Sequence, residues 1–269
     1  MSNFNSDQDV DPVYHRKNLI ARGTSRTVVI FLQKLIWLLS QKWLWLANMV
    51  SGIILFLGFL APIFMSFGLT DAGQSVYDFL APHNHQLPQR SYFLFGESQL
   101  ITSYSLEQIL AAGADIGRLQ DFVGNPEMGF KMALNHRMTA IFVAIFFGGV
   151  AWGLAGRRPR LGPLWFIVLL LPLLIDGFSH LISENSGQGF RESNTWAVQL
   201  TGNAFPDKFY RETTIGSLNW LLRTITGILF GLGFVWFLFT YLSIRFQAIQ
   251  LQLEPKLRAI NAAQKTLDQ

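Results

Sequence analysis

The sequence predicts an all-α integral membrane protein with four transmembrane helices and an outward-facing cap formed by two long loops. Half of the 269 residues are hydrophobic and only 14% are charged, whereas soluble domains carry roughly 25% charged residues. Four apolar segments reach the length of about 20 residues that crosses a bilayer. The chain contains no cysteine, which excludes a disulfide framework, a thiolate metal site and a cysteine nucleophile.

Residues 1–42 are predicted to form a polar cytosolic arm followed by an interfacial helix, because Gln33 and Lys34 interrupt the apolar pattern. The arm lacks the pattern of a cleavable signal peptide. A membrane domain then covers 43–245, and a helical cytosolic tail, broken at Pro255, covers 246–269. The predicted spans are 43–65, 132–155, 163–182 and 218–244, and the predicted outer loops are 67–131, with helical spacing at 106–119, and 184–217.

Lysine and arginine residues are concentrated on one predicted side of the membrane. Thirteen of them lie in the N-terminal 42 residues, the 157–161 turn and the tail, against six in the two long loops, which hold eleven of the seventeen carboxylates. By the positive-inside rule both termini are predicted to be cytosolic and both loops to face outward. Topology therefore explains the net charge of +4 without a nucleic-acid partner. The expected partners are the lipid bilayer and other membrane subunits.

Ionisable residues of three spans are predicted to meet at one level near the outer ends of the helices. The segment 172–184 carries Asp176, His180 and Glu184 at four-residue spacing, which places them on one helix face. Such groups are costly in lipid and need partners. The candidate polar cluster comprises Asp176, His180, Arg223, His136 and Arg137, together with Glu192 of the second loop.

This cluster has a structural and a functional interpretation. In the structural one, Asp176 pairs with Arg223 or Arg137 and locks the helices together. Small residues at Gly227 and Gly231 favour close helix packing in the same region. In the functional one, the cluster forms an outward-facing site for a divalent metal, an anionic headgroup or a proton.

The metal hypothesis favours zinc, with Asp176 and His180 as ligands at helical spacing and His83, His85 or His136 completing the set. The loop segment 81–96 that carries these two histidines also contains Arg90, a candidate for binding phosphate or carboxylate. The alternative for this segment is docking of its aromatic half at the membrane interface.

Five short elements, in order, resemble a family of prokaryotic predicted membrane proteins, the domain of unknown function 2085. They lie at 85–96, 135–141, 176–180, 191–194 and 222–231. The family's two cysteines fall at Asn84 and Asn135, and its glutamine falls at His180. The resemblance implies that a disulfide or a shared thiolate ligand is dispensed with here. It also implies a bacterial cytoplasmic (inner) membrane, and it brings no established reaction.

The sequence thus predicts a multi-pass membrane protein with a polar cluster at the outer leaflet and leaves open whether it is an enzyme. The favoured function is an accessory or assembly component of a membrane complex. The first alternative is a membrane enzyme or binding protein that acts on a lipid headgroup or a divalent metal. The second is a small transporter, which is disfavoured because the inner halves of the predicted spans carry no evident ionisable residue.

Overall fold

The computed structural model describes residues 24–155, 161–187 and 189–267, so the predicted arm up to residue 23 and most of the 157–161 turn lie outside the described residues. Four described helices are long and apolar enough to cross a membrane, namely Thr27–Ser66, His136–Leu154, Pro163–Ser186 and Leu218–Ala262. The predicted class, a helical membrane protein with four spans, is confirmed.

The helices are α1 (Thr24–Ser66), α2 (Thr70–Leu80), α3 (Leu106–Ala111), α4 (His136–Leu154), α5 (Pro163–Ser186), α6 (Phe190–Ser193), α7 (Thr195–Leu200), α8 (Asp207–Arg211), α9 (Leu218–Phe234) and α10 (Thr240–Leu267). A π-helical segment, Val235–Phe239, joins α9 to α10. The strands are β1 (Ser91–Leu94), β2 (Ile101–Thr102), β3 (Gly124–Asn125) and β4 (Gly129–Asn135).

The chain divides into two compact units, of which the smaller comprises the described parts of Met1–Trp43 and Ser243–Gln269. Within it, the ring of Trp43 stacks on Phe246 with centroids 5.7 Å apart. Gln250 Nε2 donates to the carbonyl of Ser40 at 2.6 Å. The two terminal segments of this unit therefore pack on each other as helices.

Two predicted boundaries in this unit are wrong. The segment 28–42 is not a separate interfacial helix but part of the continuous α1, because Gln33 and Lys34 change the polarity of the chain without lowering its helix propensity. Pro255 lies inside α10 and does not break it. The carbonyl that proline leaves without a donor belongs to Leu251, which is 77% exposed and so is free to find a partner outside the helix.

In the larger unit, Leu44–Leu242, α9 packs most extensively on α4 and next on α5. A Cβ atom at Gly227 would lie 3.0 Å from the Cβ of Ala140, and one at Gly231 would lie 2.7 Å from the Cβ of Ala144. The close approach that these glycines predicted is confirmed, since larger side chains would push α9 away from α4. On its other side α4 packs on α1, where Gly149 approaches Asn48.

The first long loop contains a four-stranded antiparallel sheet of order β2-β1-β4-β3, which the sequence did not predict. Strand β4 runs directly into α4, so the second span begins at His136 rather than at residue 132. Met132, Ala133 and Leu134 are buried, and a short buried strand has the same apolar pattern as the start of a membrane helix. Asn135 begins α4, since its Oδ1 accepts from the Met138 amide at 2.9 Å.

The helix predicted at 106–119 is interrupted. It consists of α3 followed by a 3₁₀ segment, Ile116–Asp121. Gly113 separates the two with a φ of 95°, a left-handed conformation that glycine adopts without steric cost. The helical spacing therefore predicts the conformation of each part correctly, but it does not reveal the turn that divides them.

Lys131 of β4 is completely buried in this loop domain. Its Nζ donates to the carbonyl of Gln86 at 3.1 Å and to that of Gln120, and it lies 5.6 Å from the ring centroid of Tyr77. No carboxylate forms an ion pair with it in the described part of the chain. Burial lowers the pKa of Lys131 from 10.5 to about 8, an effect that Asp121 partly opposes.

This pKa shift predicts that stability rises with pH. Between pH 8 and pH 10.5 the unfolded state binds more protons at Lys131 than the folded state does, so the free energy of unfolding increases through that range, by up to about 3 kcal/mol. Lys131→Met should flatten the rise in melting temperature measured in detergent from pH 7 to pH 10.5. Lys208→Met, at an exposed lysine, controls for the lost charge, and an equal rise in the Lys131 variant would contradict the prediction.

Candidate functional site

The buried face of α5 is polar, in contrast to the rest of that helix. Its buried residues are Asp176, His180 and Ser183, whereas neighbouring apolar residues such as Ile175 and Phe178 are exposed. This inverted pattern suits a helix whose apolar surface faces lipid. The contacts that hold α5 in the bundle at this level are therefore hydrogen bonds and ion pairs.

Asp176 forms the centre of these contacts. Its Oδ2 accepts from Arg137 Nη2 of α4 at 2.5 Å, and its Oδ1 accepts from Arg191 Nη2 of α6 at 2.7 Å. The predicted pairing with Arg137 is present, whereas Arg223 does not form an ion pair with Asp176. Arg191 was missed as a partner, although it lies in one of the motifs quoted above.

The position of Arg191 depends on a reversal of the chain after α5. Gly187 and Gly189 both have positive φ angles, 65° and 59°, and glycine at the end of a helix is the usual signal for such a reversal. The Arg191 amide donates to Ser183 Oγ at 3.0 Å, and Ser183 Oγ donates to Glu192 Oε2 at 2.6 Å. Glu192, predicted as a cluster member, thus anchors the loop rather than pairing with an arginine of the cluster.

His180 lies between two guanidinium groups. Its Nε2 is 3.2 Å from Arg191 Nη2 and 3.3 Å from Arg223 Nη2. Guanidinium nitrogens are donors only, so Nε2 is the acceptor of these contacts and carries no proton. His180 therefore links the loop arginine to α9 as a neutral ring.

Positive charge exceeds negative charge around this site. Arg137 and Arg191 share Asp176, and Arg90 of the first loop pairs with Glu184 of α5. Arg223 is only 4% exposed, forms no ion pair within the described ranges, and its Nη1 has no hydrogen-bond partner there. Four guanidinium groups thus face three carboxylates, those of Asp176, Glu184 and Glu192, and Arg223 is the guanidinium that forms no ion pair in the described chain.

A cavity of about 370 Å³ lies among α4, α5, α9 and the segment around Arg90. Its polar lining includes Arg90, Arg137, His180, Glu184 and Arg223, and its apolar lining includes Leu87, Met138 and Leu181. Three spans and the first loop therefore bring three of the six predicted cluster residues, Arg137, His180 and Arg223, to the wall of one cavity.

The other predicted site residues lie differently. His136 is fully buried and its ring packs on Tyr92 with centroids 4.4 Å apart, and it does not line the cavity. His85 is exposed at the cavity, and the side chain of His83 lies outside the described residues. In the described ranges no group of three histidine or carboxylate side chains is arranged to hold a metal, so the zinc hypothesis stays a prediction.

Asn84 and Asn135 contact each other at the edge of the cavity. Asn135 Nδ2 donates to Asn84 Oδ1 at 2.5 Å, and Asn84 Nδ2 donates to the carbonyl of Ala133 at 2.7 Å. These are the two positions at which the resemblance places cysteines. The two side chains are therefore neighbours, as a disulfide or a shared ligand at these positions would need, and a disulfide needs in addition Cβ atoms about 3.5–4.5 Å apart.

The ion pairs of Asp176 predict a large stability loss in Asp176→Asn, since the buried Arg191 and the partly exposed Arg137 would both remain without a carboxylate. We expect a loss of about 3–5 kcal/mol, partly recovered by adding Arg191→Met, in thermal unfolding of the protein in detergent. Glu184→Gln breaks a more exposed pair and is the matched control, with an expected loss within about 1 kcal/mol. If Asp176→Asn were as stable as the wild type, the ion pairs of Asp176 would not be what holds α5 in the bundle.

The contact between the two asparagines predicts that Asn84→Cys combined with Asn135→Cys forms a disulfide. Mild oxidation should convert the double variant to a form with shifted mobility on a non-reducing gel, while each single variant stays unchanged. The Asn135→Cys change also removes a helix cap, at a cost of about 1 kcal/mol. Free thiols in the oxidised double variant would contradict the proposed proximity.

Comparison with known proteins identifies one family. Residues 128–206 match the model of a family described as predicted membrane protein (DUF2085), a range that includes α4, α5 and the loop arginine Arg191. No curated protein and no solved structure shows a significant match to the chain. In residues 128–206 this chain, which has four membrane-length helices, is therefore similar to the DUF2085 family of predicted membrane proteins.

Proposed function

We propose that the protein is a membrane component that binds an anionic group, a phosphate or a carboxylate, in the cavity among α4, α5 and α9. The observation that carries this proposal is the buried guanidinium of Arg223, which has no carboxylate partner in the described chain. Guanidinium groups bind phosphate and carboxylate with paired, charge-assisted hydrogen bonds. The guanidinium groups of Arg90, Arg137 and Arg223 line the cavity and supply such donors.

Energetics favour a ligand over a purely structural role for Arg223. An unpaired buried charge costs several kcal/mol, and the carboxylate of Asp176 is already used by Arg137 and Arg191. A bound anion would supply the missing negative charge. The structural interpretation explains why Asp176 is buried, but under it the buried charge of Arg223 only lowers the stability of the fold.

The dimensions of the site agree with a small ligand group. Its volume of about 370 Å³ lies in the range of about 300–1,000 Å³ that is usual for ligand pockets. A phosphate group fills only part of this space. The remainder suits the rest of a headgroup or its linkage to a longer molecule.

We propose in addition that the cavity lies at the level of the outer leaflet of a cytoplasmic (inner) membrane and that both termini are cytosolic. The support is the excess of lysine and arginine in the terminal segments and the 157–161 turn over the two long loops. An accessory or assembly role in a membrane complex is compatible with anion binding. It stays a prediction, because it depends on a partner chain, and co-purification from native membranes tests it.

The anion site predicts that Arg223→Met changes ligand response without harming the fold. In phosphate-free detergent buffer its melting temperature should equal or exceed that of the wild type, because an unpaired buried charge is removed. Inorganic phosphate or dioleoylphosphatidylglycerol should raise the melting temperature of the wild type and leave that of the variant unchanged.

Arg118→Met, at an exposed arginine, is the matched control and should respond like the wild type. Sodium chloride at equal ionic strength separates specific binding from screening. The proposal fails if Arg223→Met is stabilised as much as the wild type by either probe. It also fails if Arg223→Met loses as much stability as Asp176→Asn.

A further inference from the structure

The packing of the three helices around the cavity leaves a gap on one side. Helix α9 packs extensively on both α4 and α5, whereas α4 and α5 contact each other far less than either contacts α9. α9 therefore forms the back wall of the cavity. The side between α4 and α5 has little direct packing of helix on helix.

At the level of the cavity, this side is crossed by side chains alone. A Cβ atom at Gly177 of α5 would meet only Arg137 Nη1, at 3.4 Å, and the ion pair of Arg137 with Asp176 joins the two helices there. The side chain of Arg137 is 24% exposed and can change its rotamer, whereas a close-packed interface between two helices cannot open without moving a helix. The gap can therefore widen without separation of α4 or α5 from α9.

The lining of the gap is amphipathic. Leu181 lines the cavity and is also 51% exposed, one turn beyond Gly177 on the same stripe of α5. It lies next to Phe178, which is 59% exposed on the membrane-facing side. A polar, cationic space thus continues directly into the apolar surface that faces lipid.

The side towards the first loop is less favourable for a free anion. There Arg90 and Glu184 pair across the cavity, and the carboxylate of Glu184, 44% exposed, repels anions that arrive from water. Glu184 also neutralises Arg90 in the way that a ligand phosphate would. A ligand that arrives between α4 and α5 meets Arg137 first and then Arg223, which lies on the back wall of the cavity.

We infer that the anionic group is the phosphate of a membrane phospholipid that reaches the cavity sideways, through the gap between α4 and α5. Arg137 and Arg223 bind the phosphate, and the acyl chains lie against Met138, Leu181 and the apolar surface of α5. This inference rests on the proposed anion site and assigns its ligand class. Charge complementarity and the continuity of the cavity with the lipid-facing surface both support it.

The test compares two neighbouring residues of α5. Leu181→Trp adds bulk at the gap, whereas Ile182→Trp adds the same indole at a position that is 57% exposed and does not line the cavity. The full-length protein is purified in detergent, and binding of dioleoylphosphatidylglycerol and of dioleoylphosphatidylcholine is measured by native mass spectrometry. Binding of inorganic phosphate is measured by calorimetry.

We expect phosphatidylglycerol to bind the wild type and Ile182→Trp equally, and Leu181→Trp at least about tenfold more weakly, which corresponds to about 1.4 kcal/mol. Phosphate affinity should be unchanged in Ile182→Trp, and in Leu181→Trp it should fall far less than phosphatidylglycerol affinity, because the arginines are unchanged and the added indole obstructs chiefly the acyl chains. Melting temperatures verify that both tryptophan variants fold. If Leu181→Trp does not fold, Leu181→Phe is used in its place.

The outcomes separate this inference from the proposed function. Equal phosphatidylglycerol affinity of Leu181→Trp and Ile182→Trp overturns lateral access. If the wild type binds inorganic phosphate but neither phosphatidylglycerol nor phosphatidylcholine, the lipid assignment is wrong and the anion site stands. If the wild type binds neither phosphate nor phosphatidylglycerol, both proposals fail.

Discussion

The carboxylate of Asp176 is the contact on which the site depends. It accepts from Arg137 of α4 and from Arg191 of the second loop, so a single buried charge joins three parts of the chain. Lipid supplies no hydrophobic driving force for helices to associate, and polar contacts and close packing take its place. That is why α5 turns its polar residues inward and its apolar residues towards the membrane.

The same contact explains why the structural and the ligand-binding interpretations of the cluster coexist. One carboxylate that two guanidinium groups share leaves Arg223 without an anion, although Arg223 is buried beside His180. Structural pairing thus accounts for Asp176, Arg137 and Arg191. The proposed binding role falls on Arg223 and the cavity that it lines, so the two interpretations centre on different residues of one cluster and share Arg137, which pairs with Asp176 and also lines the cavity.

The first long loop forms one side of the cavity and places Arg90 there. Its sheet pairs β4 antiparallel with β1, and β4 continues into α4 at Asn135. Buried polar contacts join β4 and its end to other segments of the loop, through the hydrogen bonds of Lys131 with loop carbonyls and the contact of Asn84 with Asn135. Because buried polar groups are costly without partners, these contacts restrict the arrangement of the loop, and with it the placement of Arg90 at the cavity.

The sequence by itself determined the membrane class and the existence of four spans, and it offered Arg137 and Arg223 as alternative partners of Asp176. Hydropathy, helical spacing and depth along a span are local properties of the chain, and they suffice for those features. Tertiary structure decided the sheet, the start of α4 at His136, and the choice of Arg191 rather than Arg223 as the second partner of Asp176. The sheet and the start of α4 depend on strand pairing, and the contact of Arg191 depends on the chain reversal at Gly187 and Gly189. In both cases residues distant in sequence come into contact, and only the folded geometry selects which of them do so.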